Sequence, residues 1–217
     1  MRAMILAAGR GERLRPLTDT IPKSLVEIHG EPLLERHLKN VAAAGITDVV
    51  INLGWLGDKL RERIGDGDQF DLKVAYSDEG DNVLETGGGI HKALPLLGDE
   101  PFLVVNADVY TDMPIPEIEL AESIDAHLVL VPTPAYRDKG DFGLEDGLVT
   151  NDAIHTFSGV SMYRPSFFDE CEAGRFSVVP LLRDAADAGR LAGSLYEGIW
   201  ADVGTPERLA EIEDFDE

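Results

Sequence analysis

Along the chain, short runs of Val, Ile and Leu alternate with stretches in which apolar residues recur every three or four positions. That alternation predicts strands interleaved with helices, and hence a mostly parallel sheet flanked by helices. Met1–Ala8 reads as the first strand. Residues 31–44 read as a helix, with Pro32 in its first turn, Leu33, Leu34, His37, Leu38 and Val41 on one face, and Gly45 closing it. "DVVINLG" (48–54) predicts the next strand, 57–64 a short amphipathic helix, and "LKVAYS" (72–77) a third strand. The polar loop "DEGDNVLETGGG" leads to a helix over about 89–97, and "PFLVVNAD" (101–108) reads as a fully buried strand because its apolar run is unbroken.

The second half changes character. "AHLVLVP" (126–132) is another strand, and "GDFGLEDGLVTND" (140–152) alternates around Asp-Gly as a hairpin does. "TFSGVSMY" (156–163) reads as a strand returning to the sheet, followed by a helical stretch over about 176–189. "LYEGIWADVG" (195–204) leads into a closing helix with Thr205 as N-cap and Pro206 at its first position. No repeat, linker or boundary interrupts the chain before its acidic end "EIEDFDE". The expectation is one α/β domain over residues 1–217 with a small inserted hairpin region.

Composition narrows the function classes. The 41 acidic residues outnumber 19 Lys and Arg, for a net charge of -22, which is the opposite of what phosphate contacts to nucleic acid demand. No apolar run reaches the roughly 18–20 residues of a membrane span, and the apolar start is too short for a secretory signal. The single cysteine, Cys171, excludes an internal disulfide and suits a reducing cytoplasm. The expected partners are small molecules, with no nucleic acid and no membrane; oligomeric state is not legible.

Against that acidity, "LAAGRGERLRPLTDTIPKSL" (6–25) is cationic and rich in Gly and Pro. "GRGERL" begins like the dinucleotide fingerprint G-x-G-x-x-G, but Leu14 stands where the third glycine would allow close helix–strand packing. The G-x-x-x-x-G-K-[ST] phosphate loop is absent too. A loop at the carboxyl end of the first strand of an open α/β sheet nevertheless lies where such sheets bind ligands. Its successive N–H groups, beside Arg13, Arg15 and Lys23, suit a polyphosphate. Arg15 has an equally good alternative in an acidic surface partner.

The segment "LAAGRGERLRPLTDTIPKSLVEIHGEPLL" resembles the sugar-1-phosphate nucleotidyltransferases. "LETGGGI" (84–90), "VVNADV" (104–109), "FSGVS" (157–161) and "WADVGTPERL" (200–209) follow in that family's order across nearly the whole chain. The resemblance implies a Rossmann-like twisted sheet and a Mg²⁺-dependent transfer of a nucleotidyl group to a sugar 1-phosphate, with pyrophosphate leaving. The short form with "LETGGG", "GDF" and "TFSGVS" points within the family to UTP as donor, N-acetylmuramate α-1-phosphate as acceptor, and peptidoglycan recycling. Guanylyl transfer to mannose or heptose 1-phosphate and cytidylyl transfer to phosphocholine remain alternatives of the same chemistry. A non-catalytic nucleotide-sensing module is the alternative of another class.

The site residues follow from that resemblance. Gly9, Gly11, Glu12, Arg13 and Lys23 would receive the triphosphate, with Arg13 on the leaving β,γ-phosphates and Lys23 on the charge that spreads in the transition state. Glu79, Thr86 and Gly87 would read ribose and base. Asn106, Asp141, Ser158 and Glu85 would face the acceptor, and Arg137 and Lys139 are candidates for a carboxylate on the sugar, though exposed loop charge explains them better. Asp108 and Asp202 would hold Mg²⁺, which is commonly bound by one or two carboxylates together with substrate phosphates. Asp112, Asp152 and the five scattered histidines read as structural or surface groups. No nucleophile or general base is required, because a phosphate monoester is ionised at neutral pH.

Overall fold

The computed structural model describes residues 1–80 and 82–214; Asp81, in the polar loop, and 215–217, at the acidic end, lie outside them. The first half runs β1 (Ala3–Leu6), β2 (Glu27–Ile28), β3 (Glu31–Pro32), α1 (Leu33–Ala43), β4 (Asp48–Leu53), α2 (Gly57–Ile64), β5 (Lys73–Asp78), α3 (Glu85–Leu97) and β6 (Phe102–Asn106). The second half runs β7 (Val109–Thr111), β8 (Ala126–Pro132), β9 (Phe142–Glu145), β10 (Leu148–Tyr163), α4 (Val179–Asp187), β11 (Leu191–Leu195), β12 (Trp200–Asp202) and α5 (Pro206–Glu213). Eight strands form the main sheet in the order β11-β8-β10-β6-β1-β4-β5, with β9 paired to β10. The β1–β4, β1–β6, β4–β5 and β8–β11 pairs are parallel, and β10 runs against its neighbours. The sequence expectation of a mostly parallel sheet flanked by helices therefore holds.

Strand alternation builds two cores. Ala3 and Ile5 of β1, Val49 and Ile51 of β4, and Leu103 and Val105 of β6 face α1 and α2 through Leu34, Leu38, Val41, Leu60 and Ile64. Met4, Val50, Phe102 and Val104 point the other way, onto Ile90, Ala93 and Leu97 of α3 and Leu182 and Ala185 of α4. Both sheet faces are covered, which is why these strands read as unbroken apolar runs. A third, smaller cluster joins Leu14, Ile28, Leu33 and Tyr110 to Ala201, Val203 and Ile212. Leu14 is 1% exposed there, and burying such a side chain contributes about 1.5–3 kcal/mol. It pins the cationic loop to β12 and α5. Among the described residues, no helix is long and apolar enough to cross a membrane.

Three elements differ from the sequence expectation. Helix α3 begins at Glu85 rather than near 89, with Gly87, Gly88 and Gly89 buried in it. Glycine is a poor helix former, yet side chains here would strike the Phe176 ring, the Gly174 carbonyl and Glu79 respectively. Packing overrides propensity. Hairpin and returning strand are one sixteen-residue strand, β10, turning from β9 at Asp146 and Gly147, both at positive φ. Its register on β8 slips between Phe157 and Ser161, where the pairing changes. Strand β11 was not legible, because "LAGSL" has little β-propensity; it forms by parallel pairing with β8.

His37 of α1 is buried beneath the β6–β7 turn, hydrogen-bonded to the Val109 backbone, with Nε2 unpartnered. Burial pushes its imidazole down to about 4. Between about 4 and 6.5 the unfolded chain then binds the extra proton, so stability is full above pH 6.5 and falls as pH drops through that window. The expected loss approaches about 3 kcal/mol by pH 4. Urea midpoints at pH 7.5 and 5 should show it, with a flatter response in His37→Leu; an equal response in the variant would assign the acid sensitivity elsewhere.

Candidate active site

The parallel strands β1, β4, β5 and β6 end along one edge of the sheet, and the cationic loop leaves β1 there. Gly11 sits at φ 62°. A Cβ at that position would come within 2.9 Å of Thr18 Cγ2 and 3.0 Å of Lys23 Cβ, so the turn requires glycine. The Thr18 hydroxyl donates to the Gly11 carbonyl at 2.7 Å, and a short 3₁₀ turn over Glu12–Leu14 buries Leu14 while Glu12 and Arg13 stay exposed. Arg15 pairs with Asp19 at 2.9 Å, both side chains lying at the surface. The Arg10 guanidinium instead lies over the Trp55 ring, 5.3 Å from its centroid.

Asp108 occupies the turn between β6 and β7, where Lys23 Nζ forms an ion pair with its carboxylate. Its backbone carbonyl accepts the Val203 N–H at 2.9 Å. Strand β12 pairs with β7 so that Asp202 faces Val109, one residue beyond Asp108. The two acids are thus neighbours across a ladder although 94 residues separate them in sequence. Arg208 donates to Asp202 Oδ2, and the Tyr136 hydroxyl donates to Oδ1 at 2.5 Å. Partial burial and that hydrogen bond push the Tyr136 phenol up to about 12, so it is a donor at neutral pH.

A buried relay braces the neighbouring wall. The Ala7 N–H donates to Asn52 Oδ1 at 2.6 Å, Asn52 Nδ2 to Glu79 Oε1 at 2.7 Å, and the Leu84 N–H to Glu79 Oε2 at 2.7 Å. Glu79 is 7% exposed, and its two oxygens hold the ends of β1 and β4 against the start of α3. Residues 174–178 strap that helix start from outside. Gly88 N–H donates to the Phe176 carbonyl, Phe176 N–H to the Leu84 carbonyl, and Val178 N–H to Thr86 Oγ1.

These walls enclose two adjoining cavities. The larger, about 770 Å³, is lined by Gly9 to Arg13, Lys23, Asn82 to Glu85, Asp108, Arg175 and Gly204. The smaller, about 180 Å³, is apolar in part and includes Leu6 to Gly9, Lys23, Ser24, Asn52, Thr86, Asn106 and Asp108. Of the residues singled out in the sequence, Gly9, Gly11, Glu12, Arg13, Lys23, Glu85, Thr86, Asn106 and Asp108 line this space. Gly87 does not; it is buried under Phe176. Glu79 lies behind the wall as a brace. Ser158 is fully buried and its Oγ accepts the Val160 N–H, while its carbonyl accepts the Trp200 indole N–H. Asp141 is engaged by Arg137 at 3.1 Å and by the Phe157 N–H at 3.0 Å. Asp112 and Asp152 are exposed.

Sequence reasoning missed Arg10, Asn52, Tyr136, Arg175 and Arg208. Asn52 carried a signal, as a polar residue inside the apolar strand "DVVINLG". The others are unremarkable loop and helix residues until the fold brings them together. Among the described residues, no group of three or more His, Cys, Asp or Glu could by itself hold a metal ion.

Residues 2–158 match the family model described as Nucleotidyl transferase. The chain is 46% identical to the N-acetylmuramate alpha-1-phosphate uridylyltransferase of Neisseria meningitidis serogroup B, over 98% of this chain and 97% of that one. It is 36% identical to the protein of the same description from Caulobacter vibrioides, over 96% and 97%. In three dimensions it is similar to a Bacillus anthracis structure, assigned as a glucose-1-phosphate thymidylyltransferase and solved with sucrose. The TM-score is 0.85 at 18% identity, covering 100% of this chain and 97% of the other.

Proposed function

This chain belongs to the nucleotidyl transferase family, and from that premise we propose that it transfers UMP from UTP to N-acetylmuramate α-1-phosphate, releasing pyrophosphate. What carries the reading is the meeting, in one cavity, of a glycine-and-arginine loop with an acidic turn: Arg13 and Lys23 on one side, Asp108 on the other. The full-length identity to two uridylyltransferases supports both the donor and the acceptor.

The acceptor's phosphate attacks the α-phosphorus, and the bond to the β,γ-unit breaks as pyrophosphate departs. Both reactants are polyanions, so catalysis is positioning and charge neutralisation. Arg13 takes the leaving phosphates. Lys23 follows the charge spreading around the α-phosphorus. The smaller cavity takes base and ribose against Thr86 and the Leu6–Gly9 backbone, with Glu79 holding that wall through Asn52 and Leu84 rather than touching the nucleotide. Asn106 and Glu85 face the acceptor, while Ser158, buried within β10, and Asp141, held on the Phe157 N–H, brace that strand rather than touch the sugar.

Asp108 and Asp202 fit a divalent cation that completes its shell with phosphate oxygens and water, for each of these neighbouring carboxylates already holds a cationic side chain. Mg²⁺ there would neutralise phosphate charge. Pyrophosphate release should be measured with Mg²⁺ across UTP, dTTP, CTP and GTP, each against the 1-phosphates of N-acetylmuramate, N-acetylglucosamine, glucose and mannose. The expected maximum is UTP with the muramate sugar. A maximum elsewhere on the grid would keep the chemistry and overturn the substrate assignment.

A further inference from the structure

The geometry points to Tyr136 and Arg208 as positioning residues that orient the Asp202 carboxylate toward its cation. Neither was singled out by sequence, and they come from separate parts of the chain: Tyr136 from the connection between β8 and β9, Arg208 from the first turn of α5. This rests on the reading of Asp202 as a cation ligand.

Each oxygen of Asp202 has its own donor, Tyr136 Oη on Oδ1 and Arg208 Nη1 on Oδ2. Two donors on different oxygens fix the plane of the carboxylate, and with it the direction of the remaining lone pairs. The donors also hold each other, since the Arg208 guanidinium lies 4.0 Å from the Tyr136 ring centroid, at cation–π distance. Arg208 is anchored in turn, because its backbone N–H donates to the Thr205 N-cap hydroxyl at 3.4 Å.

Gly204 makes the approach possible. A Cβ there would lie 3.0 Å from Arg208 Nη1, 3.1 Å from Asp202 Oδ2 and 3.2 Å from Arg13 Nη2. The bare Cα lets the Asp202 clamp and the phosphate-loop arginine converge on one spot. The Asp202 side chain is 16% exposed, so it cannot find its geometry by sampling open solvent. Its orientation is dictated by the two donors.

The deciding variant is Tyr136→Phe, which removes one hydroxyl and keeps the ring beneath Arg208. Mn²⁺ binding is read by electron paramagnetic resonance with a non-hydrolysable UTP analogue present, alongside the Mg²⁺ concentration for half-maximal pyrophosphate release and metal-free thermal melting. Partners that orient a metal ligand typically contribute 10- to 100-fold, so the variant should bind Mn²⁺ about tenfold more weakly and need correspondingly more Mg²⁺. Its metal-free melting should match that of the wild type. Arg208→Lys, which keeps the charge and loses the fork, should shift both metal readouts in the same direction. Wild-type Mn²⁺ affinity in Tyr136→Phe would overturn the inference and leave the Asp202 reading standing. Wild-type Mn²⁺ affinity in Asp202→Asn would overturn both.

Discussion

Asp108→Asn is expected to lower the turnover of pyrophosphate release by about 10²–10³-fold or more, the scale on which a single preorganised electrostatic group acts, without unfolding the protein. The fold should survive because the part of Asp108 that the structure uses is its backbone. The carbonyl that accepts the Val203 N–H ties the β6–β7 turn to the strand end of β12, and an asparagine keeps it. The side chain is 39% exposed and pairs with Lys23. The substitution preserves size and removes a charge. What disappears is the anionic side of the site: Lys23 loses the group that aims it, and, on the proposed reading, Mg²⁺ would lose one of its two carboxylate ligands. Melting and circular dichroism should therefore match the wild type while turnover collapses. Near-normal turnover at saturating Mg²⁺ would take Asp108 out of the metal site.

Much of this was legible before the fold was known, for identifiable reasons. Short apolar runs located β4 and β8 closely, because those strands are buried on both faces, and the spacing of Leu60 and Ile64 located α2, which has one apolar face. The start of α5 was fixed by local chemistry, with Thr205 capping and Pro206 at the first position. Motif order brought Arg13, Lys23, Asp108 and Asp202 forward as a set, and the fold joins them through the Lys23–Asp108 pair and through the space above Gly204. Reading failed where tertiary packing decides. Three successive glycines resemble a loop, and only Phe176, Gly174 and Glu79 reveal why they form a helix start. The residue chosen to read a base, Gly87, is covered by that same packing. Glu79 looked like a ligand contact, and its carboxylate is spent on Asn52 and Leu84. Tyr136 had no sequence signal, and Arg208 stood in the quoted motif "WADVGTPERL" without being singled out, since their meaning lies in what they share across the fold.

Lys23→Met is expected to lower kcat/KM for UTP by about 10³-fold, with most of the loss in kcat. Met keeps an apolar stem of similar length where Lys23 packs against Gly11, so the loop should hold its course. The ammonium is what goes, and its side chain is only 13% exposed, with little water to replace it. Two consequences follow from the geometry. Asp108 is left without its cation, and the phosphates meet an acidic turn with one positive charge fewer. Ground-state binding of UTP still has Arg13 and the loop N–H groups, so KM should rise modestly. The charge that spreads around the α-phosphorus exists only on the way to products, so its loss falls on kcat. Because Lys23 and Asp108 act as a pair, the Lys23→Met, Asp108→Asn double variant should be much less impaired than the product of the single effects, and a double-mutant cycle would measure the difference. Lys23→Arg should rescue poorly, for a longer planar fork replaces the compact point charge that Lys23 holds, largely buried, against Asp108. A variant whose KM for UTP rises a hundredfold while kcat stays put would make Lys23 a binding residue only, and the transition-state role would pass to Arg13.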